Sequence, residues 1–204
     1  MFPRSDQSGW ARYGFKFGIM LTISISLCIR QSEASSDATK EQTPVTTTTR
    51  TIEVEHVTIR STKRFADVRA KLEHSLPQLN PEIPSLMASG DTKRLQEKLE
   101  AGPELAIFLS RDHGGLLRIT GQPRKALQYE IGNPLTASKM TRHQLAAGLY
   151  APLRVVLYED QEGGSVFEYD RPSSLFGQFG DQHVDEVARG LDVALERALR
   201  HALE

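Results

Sequence analysis

Between Tyr129 and Gly180 the chain runs YEIGNPLTASKM, then LYAPLRVVLYED, then SVFEYDRPSSLFGQFG. A β-rich segment there meets Asn133-Pro134. That pair ends a strand and opens a helix, because proline has no N–H to donate and its fixed φ suits the first helical turn. LRVVLYE and SVFEYD flank Asp160 to Gly164, a run of turn-forming residues, and so predict an antiparallel hairpin. Alternation along its first arm sets Arg154, Val156 and Tyr158 on one face and Val155, Leu157 and Glu159 on the other. This order demands a sheet whose strands are joined both by a hairpin and by helices.

The remaining elements follow from periodicity. IEVEHVTIR, from Ile52, alternates and then shifts phase at Val57, as a half-buried strand with a bulge would. Ser61 or Thr62 is placed to cap a helix carrying Phe65, Val68, Leu72 and Leu76 at helical spacing. Pro77, Pro81 and Pro84 predict an irregular connection, and Asp91 or Thr92 starts a short helix that Gly102-Pro103 ends. ELAIFLS reads as an interior strand, Asp112-His113-Gly114-Gly115 as a turn, LLRIT as the returning strand and KALQYEI as a third. The Asn133-Pro134 helix runs to about His143. From Gln182 to Leu203, apolar residues recur every three or four positions, with Asp181 as N-cap and Asp185 and Glu186 in the first turn. Strands and helices segregate instead of alternating strictly, which predicts one α+β domain with a mostly antiparallel sheet and a long C-terminal helix.

Ahead of this domain lie two segments of other character. Arg4, Arg12 and Lys16 precede an apolar run from Phe17 to Ile29, about 13 residues and short for a membrane span. Ser32-Glu33-Ala34 supplies the small residues of a cleavage site, so residues 1–34 are expected to be a signal peptide. The alternative is an uncleaved anchor through residues 17–29, the one route by which the chain would meet a membrane. Ser35 to Thr51 has almost no apolar content and a run of four threonines, and is expected to be a disordered linker to the domain at 52–204. Cys28 is the lone cysteine and would leave with the signal. The remainder would hold 21 basic and 24 acidic residues, a charge of −3, against −1 for the whole chain. Neither charge, with Lys and Arg scattered among acids, provides the footprint of a nucleic-acid-binding protein.

The candidate functional residues are polar and aromatic. His113 sits between Asp112 and two glycines, where backbone amides are approachable by a ligand; a plain turn is the alternative. Arg142 and His143 end the Asn133-Pro134 helix and either line a pocket or offset its dipole. Tyr150, Arg154, Tyr158, Tyr169 and Arg171 surround the hairpin and, beside Glu168, could line a polar pocket or pair across strands. Phe176 and Phe179, set among glycines, suggest a lid over an apolar cavity between the sheet and the terminal helix, or a loop packed on the core or a partner. The six histidines form no HExxH or HxH pattern, so spacing predicts no metal site, and no cofactor fingerprint is present.

Gly132-Asn133-Pro134, Leu149 through Glu159 and Phe167 through Pro172 resemble the family called domain of unknown function 302, the branch with an RPSSLFGQFG-type loop. The resemblance spans roughly Ile52 to Leu203. It implies a fold similar to the TATA-binding-protein-like arrangement and a tendency to form homodimers. Many members carry cysteine where this chain has Gly132 and Leu153, so any thiol chemistry those residues imply is absent from these positions.

Together these features lead to the expectation of an exported, non-catalytic domain that binds a small, mostly apolar ligand or a protein partner, as the homodimer that the resemblance implies. The alternatives are a hydrolase-like enzyme with His113 or His143 as general base, and a purely structural dimerisation module. The export expectation is tested by N-terminal sequencing of the protein recovered from its native host. A start near Ser35 is expected, and intact Met1 protein in the cytosol would overturn it.

Overall fold

The computed structural model of the chain describes residues 45–204. The expected signal peptide, and the expected linker as far as residue 44, lie outside the described residues. Residues 45–55 form neither helix nor strand and are mostly exposed, as a linker would be. They are nevertheless tied to the domain: the Arg50 guanidinium donates to Gln178 Oε1 at 2.7 Å, and Glu55 N to Ser174 Oγ at 3.0 Å. No helix among the described residues is long and apolar enough to cross a membrane.

Five strands form one sheet: β1 (His56–Ser61), β2 (Ala106–Asp112), β3 (Ala126–Gly132), β4 (Leu153–Glu159) and β5 (Ser165–Asp170). Their spatial order is β1-β5-β4-β3-β2, and every pairing is antiparallel. The predicted hairpin is β4–β5, in the register Val155 opposite Tyr169 and Leu157 opposite Phe167. Seven helices complete the domain: α1 (Phe65–Ser75), α2 (Glu82–Ser89), α3 (Thr92–Glu100), α4 (His113–Leu116), α5 (Pro134–Thr141), α6 (Pro172–Phe176) and α7 (Gln182–Leu203). The α+β class, the antiparallel sheet and the long terminal helix are as the sequence predicts.

The sheet is two-faced because its side chains alternate. Leu127, Tyr129 and Ile131 of β3, Leu153, Val155 and Leu157 of β4, and Phe167 and Tyr169 of β5 are buried on one face. Against them lie Phe65, Val68 and Leu72 of α1 and Val184, Ala188, Leu191, Leu195 and Leu199 of α7, in one continuous core. Tyr129 is fully buried, and its hydroxyl donates to Glu73 Oε1 at 2.9 Å, a carboxylate that Arg69 also holds. Burial first, then that acceptor, push the Tyr129 hydroxyl well above its ordinary pKa, so it stays a neutral donor.

Several local expectations give way to tertiary constraints. The first strand begins at His56, not Ile52: β5 ends at Asp170, opposite His56, and Arg171-Pro172 turns into α6, leaving residues 52–55 without a strand partner. Neither Ser61 nor Thr62 caps α1, whose N-cap is Arg64 with no side-chain bond. Ser61 Oγ instead donates to Leu203 O. The three prolines do not prevent a helix, since Pro81 is the residue before α2 and Pro84 falls in its first turn, where proline sacrifices no helical bond. LLRIT is not a strand. It forms the end of α4 and a 3-10 turn over Leu117–Thr120, and the place beside β2 belongs to β3.

Candidate functional site

The ten residues singled out in the sequence do not converge on one site. On the open sheet face Arg154 is exposed, and the Tyr158 hydroxyl donates to Glu168 Oε1 at 2.8 Å. His56 lies beside the same acid, with Nε2 3.6 Å from Glu168 and Nδ1 3.1 Å from Asp170. The hydrogen bond to Asp170 holds the His56 imidazole above its ordinary pKa. Tyr169 faces the opposite way, into the helix-covered core, and Arg171 is taken up by Glu55 at 2.7 Å. Strand alternation therefore divides the hairpin residues, and they form no single polar pocket.

His113 is likewise alone. Its Nε2 lies 3.4 Å from Gln128 Oε1, and the neighbouring Asp112 carboxylate accepts from Gly115 N at 2.7 Å, capping α4. Asp112-His113-Gly114-Gly115 is thus not a hairpin turn but the start of α4. Gly114 is required for another reason: a Cβ there would stand 2.1 Å from the Arg124 carbonyl oxygen. The glycine admits the chain itself, where the sequence suggested a ligand.

The Phe-rich segment is also not a lid. Phe176 is the last residue of α6 and fully buried, edge-on to Tyr150 with ring centroids 6.0 Å apart. Phe179 is partly buried and 6.2 Å from the same Tyr150 ring. Helix α6 seats on α7, where Ser173 N donates to Asp192 Oδ1 at 2.8 Å. These aromatics anchor the helix layer.

What the fold does assemble is an apolar groove of about 620 Å³ beside that anchor. Ile83, Pro84 and Met87 of α2 form one wall, and Thr136, Ala137 and Met140 of α5 another. Phe108, Gly132, Pro152 and Leu153, at the ends of three strands, supply the base, with Phe176 and Leu191 behind them. The local cause is Asn133. Its Oδ1 accepts from Leu135 N and Thr136 N at 2.8 and 3.1 Å while its Nδ2 donates to Pro103 O at 2.9 Å, fixing where α5 leaves the sheet. Of the ten expected residues Phe176 alone lines the groove, as part of its wall. Gly132 and Leu153, the two positions where the family resemblance expects cysteine in many members, both line it. Met87 and Ala137 escaped the sequence reading, since the prolines masked α2 and α5 has only a weak apolar stripe.

A larger depression of about 790 Å³ lies among Arg69, Asp112, Arg118, Arg124, Lys125 and Glu159. Its charges are partly spent on each other, with Lys125 Nζ 2.6 Å from Glu159 Oε1 and Asp112 committed to its cap. The remaining pair, Arg142 and His143, follows α5. Arg142 is its exposed C-cap, while His143 stacks on His183 with centroids 4.3 Å apart and planes within 3°. His183 is therefore not simply a solvated helix residue. Asp181 joins the two rings: ligand-capable atoms of His143, Asp181 and His183 all lie within 4.8 Å of one another. Local spacing, which predicted no metal site, could not register a grouping built across 38 residues.

An antiparallel sheet with helices on one face, and a groove where the strands feed those helices, defines an α+β domain with a preformed apolar site. The family model "Domain of unknown function DUF302" matches residues 91–202, and the chain belongs to that family. No curated protein matches the sequence. The crystal structure of an uncharacterized conserved DUF302 protein from Bacillus stearothermophilus is similar, with a TM-score of 0.53 at 19% identity over 72% of this chain and 97% of that one. At that identity the likeness speaks for the fold.

The aromatic anchor yields a test. Phe176→Ala should lower unfolding free energy by about 3–5 kcal/mol, the cost of emptying a buried phenylalanine site, and Phe179→Ala by clearly less. Urea denaturation followed by tryptophan-independent far-UV CD measures both. Equal, small losses would mean that Phe176 is not a core residue.

Proposed function

We propose that this chain is an exported, non-catalytic domain that binds a small, mostly apolar molecule in the groove between α2, α5 and the strand ends. The observation that carries the reading is the composition of the groove wall: among the described residues that line it there is no Asp, Glu, His, Lys or Arg. General acid–base or nucleophilic chemistry needs a titratable group within reach of the bound molecule. An apolar wall with a few hydroxyls and one amide suits retention instead. The volume lies in the range of about 300–1,000 Å³ usual for small-molecule sites. The histidines of the enzyme reading, His113 and His143, lie outside this wall. Export rests on the N-terminal pattern of basic residues, apolar run and small-residue cleavage site.

The probe for this reading is 1-N-phenylnaphthylamine, whose fluorescence rises in apolar surroundings. Wild-type protein should bind it saturably. Met87→Glu places a charge on an exposed rim residue and Ala137→Phe fills the floor space. Each should weaken binding by about tenfold or more, as one to two kcal/mol of lost apolar contact requires. Unchanged binding in both folded variants would remove the groove from the function.

A second reading, self-association, is favoured by a separate observation. Leu116, Leu117 and Ile119 are exposed together, Ile119 to 87%, on the turn that follows edge strand β2. Such a run marks contact surfaces more often than solvent-facing ones. A homodimer through this turn predicts that Ile119→Asp shifts the mass measured by light scattering from dimer to monomer. A wild-type mass of one chain, or a dimer untouched by the substitution, would oppose it.

A further inference from the structure

We infer that His143, Asp181 and His183 form a binding site for a borderline divalent transition-metal ion, with zinc as its representative, bridging the end of α5 to the start of α7. The three residues come from two elements that are distant in sequence. Their ligand-capable atoms nevertheless lie within 4.8 Å of one another. In a tetrahedral site with bonds of about 2.0–2.1 Å, donor atoms stand about 3.4 Å apart, so closure needs a contraction of at most about 1.4 Å. The side chains are free to supply it. His143 and His183 are exposed, the His183 side chain to 70%, so their ring torsions have room to leave the stacked arrangement when an ion binds.

The chemistry of the set selects the ion. Two imidazoles and one carboxylate suit zinc, copper or nickel, whereas magnesium and calcium want an all-oxygen shell. Asp181 is held in place for this purpose by the fold. Gly180, at φ 63°, ends the preceding 3-10 turn, and the Asp181 Oδ1 then accepts from His183 N and Val184 N at 2.9 and 3.2 Å. Both amides use the same oxygen, Oδ1, and that oxygen also lies 3.5 Å from His183 Nδ1, so the fixed carboxylate already faces one of the two rings. The positive end of the α7 dipole opposes a cation here. The carboxylate therefore belongs to the site as its charge balance, and the two histidines alone would not suffice. One ion would join α5, a wall of the groove, to the helix that covers the sheet, although the inference stands whether or not the groove binds a ligand.

The experiment titrates the full, untagged chain with zinc chloride by calorimetry after chelator treatment and buffer exchange. One ion per chain is expected, with a rise in thermal midpoint on binding. His143→Gln and His183→Gln should each cut affinity by more than about a hundredfold, beyond the roughly 10–100-fold that an outer-sphere partner costs. Asp181→Asn keeps the helix cap but removes the charge, and should do the same; circular dichroism establishes that each variant is folded. His56→Gln alters the other histidine–carboxylate grouping, beside Glu168 and Asp170, and should leave the affinity unchanged. Absence of zinc binding by the wild type, equal binding by the three site variants, or loss of binding in His56→Gln would each overturn the assignment. Magnesium at far higher concentration should not compete, and competition by it would also count against the site.

Discussion

The seating of α7 on the sheet is the constraint from which the rest of the structure follows. A five-stranded antiparallel sheet with one apolar face cannot remain uncovered, and burial of that face is the main favourable term in the fold. Helix α7 is 22 residues long and brings Val184, Ala188, Leu191, Leu195 and Leu199 into the common core. Its small residues matter as much as its large ones. Ala188, Ala194 and Ala202 are buried, and their short side chains let the helix axis approach the pleated surface. Once α7 is placed, α1 fills the remaining width with Phe65, Val68 and Leu72, and α6 turns back onto α7 through Phe176. The opposite face is left to polar cross-strand pairs such as Tyr158 with Glu168 and Arg111 with Glu130.

That arrangement also explains why the groove exists. Helix α7 reaches the groove only through Leu191, behind the ends of β2, β3 and β4. There the chain presents Gly132 and Pro152, residues with little side chain to fill space, and Asn133 directs α5 away from the sheet. Helix α2 approaches from the other side but leaves Met87 62% exposed at the rim. The groove is the volume these three elements fail to close.

How much of this was legible in the sequence depends on whether the deciding interactions are local. Helix α7 was readable end to end, from the Asp181 cap to Leu203, because a long amphipathic stripe needs no information from elsewhere. The β4–β5 hairpin and the Asn133 cap were readable for the same reason. The failures are all tertiary. Leu116–Thr120 has a strand's composition, yet β3 is the strand that pairs with β2, and Gly114 is needed for backbone approach to Arg124. Phe176 looked like a gate because it is apolar among glycines. It is apolar because α6 must anchor to Tyr150 and α7, and no local pattern separates those two causes.

The histidine pair carries the same lesson one step further. Asp181 was identified as a helix cap, which it is, and nothing in the α7 pattern alone singles out His183. The packing of α5 beside α7 delivers His143 onto that helix terminus, and the cap becomes one vertex of a three-residue cluster. The capping oxygen of Asp181 itself lies 3.5 Å from His183 Nδ1, so a histidine brought to the neighbouring position finds an oriented anion already in place. Burial would have hindered such a cluster, because an unpaired carboxylate in the core is costly. At the surface the carboxylate is retained by the cap at little expense, and the two rings have room to turn. The features that make this terminus a good helix start are therefore the ones the proposed ion would use.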